Sequence, residues 1–305
     1  MGRLITLIIL VASPLFALSQ YRWDYGGSLG TSNYMGEMSG TTAVSRRIDV
    51  NPTQSKVTIG AFARMKVLPF LSAKITLNNY SIAGADSLSV RPGSKERNLS
   101  FKDNLTELTV QAQFFFFEIN DIGSSYKARN DLRLYIFAGF GGIYFNPKAY
   151  LDGKWYALQP LHTEGPLNTY NRIDYTIPAG GGVNVTIGKK YRLGWELGFS
   201  KTGTDYLDDV STSYADPATF DGNEIAMALQ NRNPEKSDIE SYAELSGNYL
   251  VNQKRGSPKF DDYLIYSTFN ISYVLRGKSS FYKSRYSSMF GGKKYSKKRK
   301  TRAKF

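Results

Sequence analysis

Three short stretches carry the residue types that chemistry needs. In "PLHTEGPL" the only histidine of the chain, His162, stands two residues before Glu164. Acyl hydrolysis asks for a base beside an activated hydroxyl, and a lone histidine in a proline- and glycine-rich loop is weak support for it. In "TDYLDDVSTSY" the adjacent carboxylates of Asp208 and Asp209 offer oxygen ligands to calcium. As neighbours at a strand end they read first as a solvated cap. In "YTIPAGGGVNVTIGKK" the run Gly180 to Gly182 has the composition of a phosphate-cradling loop. No helical pattern follows it, and strand–turn–helix is the context such a loop requires. The chain has no cysteine, which removes disulfides, thiolate metal sites and cysteine nucleophiles together. The expectation is a protein that is not an enzyme, with no cofactor, no metal and no small-molecule substrate.

Charge is equally uneven. The formal net charge is +13, yet twelve Lys or Arg and no Asp or Glu lie from Arg276 onward, so the preceding residues sum to about +1. The tail, residues 277–305, holds Lys293, Lys294, Lys297, Lys298, Arg299, Lys300, Arg302 and Lys304. Such a block is an interaction tail or a solvated extension. At the other end, residues 1–19 have a basic start at Arg3, an apolar core from Leu4 to Val11 and a small-x-small site at Ala17-Leu18-Ser19. That is the layout of a cleaved signal peptide, and its apolar run is shorter than the roughly 20 residues a spanning helix needs. For an exported chain, nucleic acid is not the expected partner of the tail.

The elements that must carry these residues show a period of two. From 173 to 187 the odd positions Ile173, Tyr175, Ile177, Ala179, Gly181, Val183, Val185 and Ile187 are apolar or small. The even positions Asp174, Thr176, Gly182, Asn184 and Thr186 are polar or small, which is a strand signal. After a tight turn at Gly188-Lys189-Lys190 the pattern resumes with Tyr191, Leu193, Trp195, Leu197 and Phe199, so the pair predicts a hairpin. Similar alternation starts at Trp23, Val57, Leu71, Leu108, Leu132 and Tyr263, giving eight strands.

Eight amphipathic strands suit a soluble barrel with an apolar lumen, or a transmembrane barrel with its polar face inside. Connection lengths decide between them. Residues 68–71, about 120–130 and 188–190 are short connections, whereas about 35–54, 85–101, 147–172 and 206–262 are long. Short turns at one rim and long loops at the other are the asymmetry of outer-membrane barrels. The expected fold is therefore all-β: an eight-stranded antiparallel transmembrane β-barrel over residues 20–276, with a basic C-terminal tail. The glycine run belongs to its wall, where glycine gives room to side chains of neighbouring strands.

An eight-stranded barrel is filled by its own side chains. The inward set includes Asp24, Lys56, Arg64, Lys66, Lys74, Glu107, Arg133, Arg192 and Glu196. Both signs are present, so a mutually neutralising ion network is expected; a selective ion path is the functional alternative. Within 206–262, "GNEIAMALQNR" predicts a short helix capped by Asn223, in a loop folded over the barrel mouth.

Three segments taken together, "GGSLGTSNYMGEM", "LQPLHTEG" and "TDYLDDVSTSYADP" after a "GWELGFSKT" strand, resemble the PorG family of outer-membrane barrels from the type IX secretion system of Bacteroidetes. The resemblance covers about 22 to 275. It implies a scaffolding component that contacts a periplasmic ring of PorK and PorN type, in a machine for protein export and, in many relatives, gliding motility. It transfers no catalytic residue. In such a barrel both termini are periplasmic, so the tail can reach the ring, acidic lipid or peptidoglycan. The rival reading is a stand-alone barrel acting as a small-solute channel or a surface binding protein.

Overall fold

The computed structural model describes residues 23–38, 54–89, 92–122, 130–188, 190–236, 253–259 and 261–275. Residues 1–19 and the tail, with all eight of its cations named above, lie outside the described residues. Among the described residues ten strands form: β1 (Trp23–Met35), β2 (Lys56–Leu68), β3 (Leu71–Ala85), β4 (Ser100–Ile122), β5 (Asn130–Tyr144), β6 (Lys148–Leu151), β7 (Lys154–Ala157), β8 (Ile173–Ile187), β9 (Tyr191–Thr202) and β10 (Tyr263–Val274). Eight of them close a ring in which every neighbour is antiparallel. β1 pairs with β10 from Asp24↔Val274 to Met35↔Tyr263, and β3 pairs with β4 from Leu71↔Phe114 to Ala85↔Ser100. The fold is a closed eight-stranded antiparallel transmembrane β-barrel.

Its polarity is inverted relative to a water-soluble barrel. Leu29, Phe269 and Ile173 on the outer face are 59%, 69% and 69% exposed, while Asp24 and Glu107 in the lumen are 3% and 0% exposed. Among the described residues no helix is long and apolar enough to cross a membrane. Aromatic rings band the wall at two levels. Near the short-turn rim Tyr273 meets Tyr25 and Tyr191 at centroid distances of 6.2 and 5.7 Å. Near the long-loop rim Phe140 stacks on Tyr175 and Phe199 on Tyr263, at 6.2 and 5.0 Å. Such belts suit the two interfaces of a bilayer. Between them, Trp195 on the outer face donates its indole N–H to Ser267 Oγ at 3.0 Å. A donor facing hydrocarbon has no water to turn to, so this bond removes a cost on the order of several kcal/mol.

Two features exceed the period-two expectation. β3 and β4 run together well past the apolar wall, so the connection between them is 86–99 and the ladder rises above the rim. The 147–172 connection folds its own hairpin, β6–β7, turning at Asp152-Gly153, both with positive φ. β6 takes the place beside β4 that β5 vacates, pairing at Lys102↔Lys148. The expected helix forms as Glu224–Gln230, with the Asn223 side chain accepting from Ala226 N.

Candidate functional site: lumen and cap

The lumen is crossed by three carboxylates at different levels, each fixed by strand register. Asp24 on β1 accepts from Arg192 of β9 at 2.7 Å and from Ser272 of β10 at 3.0 Å, with Arg64 of β2 at 3.4 Å. Glu196 on β9 takes both bonds of Lys74 from β3, at 3.0 and 2.9 Å, and the Tyr135 hydroxyl at 2.8 Å. The Lys74–Glu196 pair crosses the barrel, β3 and β9 lying four strands apart around the ring, whereas Asp24 joins Arg64 on the adjacent strand to Arg192 two strands away. Glu107 on β4 is held by hydroxyls: Thr176 and Ser200 donate to one oxygen at 2.9 and 2.8 Å, Tyr80 to the other at 2.8 Å.

Aromatic rings fill the space between. Tyr135 and Phe137 on β5 lie directly across from Gly182 and Gly180 on β8, and Tyr266 on β10 lies across from Gly198 on β9. A Cβ on Gly198 would fall 2.1 Å from the Tyr266 ring, and one on Gly182 2.6 Å from the Tyr135 hydroxyl. The triple glycine is thus a bed for inward rings, a wall feature with no phosphate loop geometry. Phe62 is a further ring in the lumen, with Lys74 Nζ 4.9 Å and the Arg64 guanidinium 5.3 Å from its centroid.

Of the inward set read from sequence, Asp24, Arg64, Lys74, Glu107, Arg133 and Glu196 are buried, and Arg192 and Lys66 are half-buried. Arg133 pairs with Glu118 at 2.8 Å rather than joining the central groups. Lys56 is a correction: it opens β2 at the long-loop end and is exposed, because the strand's first inward position already clears the lumen. The inward aromatics were missed, since an apolar residue on the polar face breaks the alternation that identifies the face. Glu118 was missed for the same reason: β-bulges at Phe115/Phe117 and Ile119/Ile122 shift the β4–β5 register there.

Above the lumen, all four long connections meet in a buried cap. Met38, Leu99, Phe145, Leu158, Leu207, Val210 and Leu229 share one apolar cluster with Tyr34 and Phe101. The polar part is built on Tyr34, Glu164 and Asp209. The Tyr34 hydroxyl lies 2.6 Å from Asp208 Oδ2 and 2.8 Å from Asp262 Oδ1, and it accepts the Glu37 N–H at 3.1 Å. A phenol has one proton to donate. The second carboxylate contact therefore needs a proton of its own, and one of the two aspartates is held as an acid. Burial pushes both well above the usual carboxylate range. Burial also lifts Asp205 to about 9, against the Ser211 hydroxyl and with Asp208, Glu37 and Glu164 adding repulsion.

Glu164 uses one oxygen for the N–H groups of Ser211 and Thr212 and for Arg255, at 2.9, 3.1 and 3.1 Å, and the other for Thr212 N and Oγ1, at 2.9 and 2.6 Å. It is a buried structural acceptor, while His162 ends a single 3₁₀ turn in left-handed conformation at φ 47°. Asp209 takes the hydroxyls of Thr163 and of Tyr170, the latter at 2.6 Å, and faces Arg255 at 3.7 Å. Burial raises it to about 6 despite Arg255. Asp208 and Asp209 are only 1% and 2% exposed, which corrects the solvated-cap reading. Their loop is folded inward because the apolar residues that flank them, Leu207 and Val210, enter the cluster. Among the described residues no group of three or more metal-ligating side chains comes together. Arg97 completes the cap, bidentate on Asp86 at 2.7 Å, 3.7 Å from Glu37, and donating to Arg255 O at 2.5 Å.

On the outer wall, a groove of about 570 Å³ lies across β5, β8 and β9, lined by Ile136, Gly181, Trp195, Leu197 and Phe199. It faces lipid and not the lumen.

A family profile described as a domain of unknown function, DUF6089, matches residues 2–223. No curated protein matches the sequence. Solved structures similar to the chain include the attachment invasion locus protein Ail of Yersinia pestis, in complex with the heparin analogue sucrose octasulfate. Identity is 8% and the TM-score 0.32, covering 83% of this chain and 99% of that one. CarO of Acinetobacter baumannii is similar at 11% identity and a TM-score of 0.24, covering 82% and 97%.

Proposed function

The chain belongs to the DUF6089 family, and we propose that it is a structural, non-catalytic outer-membrane component of the type IX protein secretion machinery. One observation carries the reading. The three segments that resemble PorG converge on one object: Tyr34 and Glu37 from the first, Thr163 and Glu164 from the second, and Asp208, Asp209 and Ser211 from the third build the cap. A resemblance concentrated in one buried assembly marks a shared architecture, where scattered matches would not. The lumen beneath is occupied by ion pairs and rings, which suits an anchor better than a conduit.

Under this reading the short turns and both termini are periplasmic, and the basic tail reaches ring proteins of PorK and PorN type. Gliding follows where the same machine drives it. The test is a mild-detergent pull-down of full-length protein from its own outer membrane beside a form truncated after Arg276. Ring proteins recovered with the full-length form and lost on truncation support both the scaffold and the tail as its dock. Secretion intact in a deletion strain, with conductance of the purified barrel in planar bilayers, would replace this reading with a stand-alone channel.

A further inference from the structure

The β6–β7 hairpin presents a face that neither the cap nor the lumen uses. Tyr150 and Trp155 are directly paired across it, their ring centroids 5.3 Å apart, and they are 46% and 53% exposed. Lys102 from β4 places its Nζ 5.5 Å from the Trp155 centroid, and Lys148, its partner across the β4–β6 pairing, is exposed on the same side. The opposite face of the hairpin is the packed one, with Ala149 buried and Leu151 and Tyr156 against the cap cluster. The strand parity that turns Tyr144 outward also turns Lys148 and Tyr150 outward, so this platform continues the lipid-facing side of the wall.

Its height is set by register. On the outer face of β3 and β4 the apolar wall ends at Leu77 and Leu108, and a polar ladder follows. Asn79 donates to Thr106 at 3.2 Å and Ser81 to Asn104 at 2.9 Å. Thr106 pairs with Tyr144 near the upper belt, and Lys102 lies four residues farther along. At about 3.3 Å per residue and a tilt of about 40°, that is roughly 10 Å above the belt. The headgroup layer occupies about 5–8 Å on each side of the hydrocarbon, so the platform stands just above it, at the level of the first sugars attached to the headgroups. One nearby acid, Asp103, attracts Lys148 but is buried away from the platform, and Lys102 keeps its charge toward the outer face. Asp103 points to the other face of β4 and accepts the N–H groups of Asn104 and Asn146, and Asp152 sits at the hairpin tip.

We propose that Lys102, Lys148, Tyr150 and Trp155 form a binding surface for the anionic saccharide headgroup of an outer-leaflet glycolipid. The lysines meet phosphate or carboxylate, and the aromatic pair offers flat apolar faces to sugar rings. The proposal rests on the outer-membrane reading above, though not on its secretion role.

The test uses full-length protein purified in detergent and three probes: a bis-phosphorylated diglucosamine glycolipid, phosphatidylglycerol and phosphatidylcholine. The wild type is expected to bind the glycolipid more tightly than phosphatidylglycerol and to ignore phosphatidylcholine. The K102A/K148A variant should lose roughly 25-fold in glycolipid affinity, as two lysines near an anionic surface imply. The Y150A/W155A variant should weaken glycolipid while sparing phosphatidylglycerol. Retained heat-dependent gel mobility certifies the fold of each variant, and the single variants K102Q and K148Q stand in if a double variant fails it. Unchanged glycolipid affinity in the lysine variants overturns the proposal, and equal affinity for phosphatidylglycerol reduces it to bare charge attraction and overturns the saccharide assignment. Density fractionation of the envelope separates the causes: a barrel in the outer membrane that does not discriminate sinks this inference alone, and one found elsewhere sinks the localisation beneath it.

Discussion

Buried carboxylates are handled in two different ways in this molecule. In the lumen, Asp24 and Glu196 sit opposite Arg64, Arg192 and Lys74, so opposite charges are matched by strands whose register is rigid. In the cap, Asp205, Asp208, Asp209, Asp262, Glu37 and Glu164 are gathered by loops around two arginines, and the shortfall in positive charge is made up by protons. Ion pairs locked by a sheet respond weakly to pH, whereas a protonated acid in a loop assembly responds directly. The cap is therefore the part of the protein whose order depends on its surroundings.

That contrast can be tested, beginning with acidity. A carboxyl whose folded value lies above its unfolded value of about 3.9 binds more protons when folded, so stability falls as pH rises between the two. For Asp205 the window runs from about 4 to about 9, and for Asp209 it closes at about 6. Amide protection factors in 203–236 should fall about a thousandfold or more between pH 5 and pH 9, while those of β8 and β9 hold. Equal losses in wall and cap would erase the contrast. Next in size, Arg255→Ala strands Glu164 and Asp209 without their cation and should cost the cap about 3–5 kcal/mol. Limited proteolysis would then cut the long loops of a barrel that still migrates as folded.

In the lumen, Lys74→Met leaves Glu196 buried with Tyr135 alone. It should cost about 3 kcal/mol in urea unfolding, most of it recovered by adding Glu196→Gln. Failure of that recovery would show that register, and not pairing, carries the energy. Gly198→Ala presses a methyl into the Tyr266 ring and should cost about 1–3 kcal/mol through overpacking. The smallest effect is expected from Tyr34→Phe, about 1–2 kcal/mol in the cap from three groups losing one partner, with the pH midpoint of loop protection displaced. An unmoved midpoint would take the shared proton away from Tyr34.

Alternation of side chains was enough to find all eight wall strands and the unequal rims, because a lipid-facing position tolerates nothing but apolar or small residues. The lumen was less legible. Tyr80, Phe137 and Tyr266 look like outer-wall residues by type; glycines opposite Phe137 and Tyr266 mark those rings as inward, whereas Tyr80, paired with Thr58 and Leu105, carries no such mark. Tyr34 shares the parity of Asp24, so carrying the alternation five turns of the zigzag farther would have found it. Arg255, in "QKRGSP", sits in no periodic pattern. Its partner Glu164 is 91 residues away in the chain, and loop packing at that separation leaves no local signature. Asp208 and Asp209 resemble any exposed acidic pair until the loops around them are closed.

The seam between β1 and β10 also bears on biogenesis. The strand that begins at Trp23 waits for a partner that ends at Val274, and the pairing between them is the longest-range one in the sheet. All other wall contacts join neighbours in sequence order, so a growing sheet can add hairpin to hairpin at low loop-closure entropy. Until the final strand arrives, the first keeps a long row of unpaired amides and carbonyls along an open edge. In hydrocarbon such an edge is prohibitively costly, and in water it invites aggregation. Ring closure must then be the last step, made under the protection of an assembly factor or at the membrane surface. Shortening β10 from its carboxyl end would arrest the protein as an unclosed sheet before it weakened the finished one.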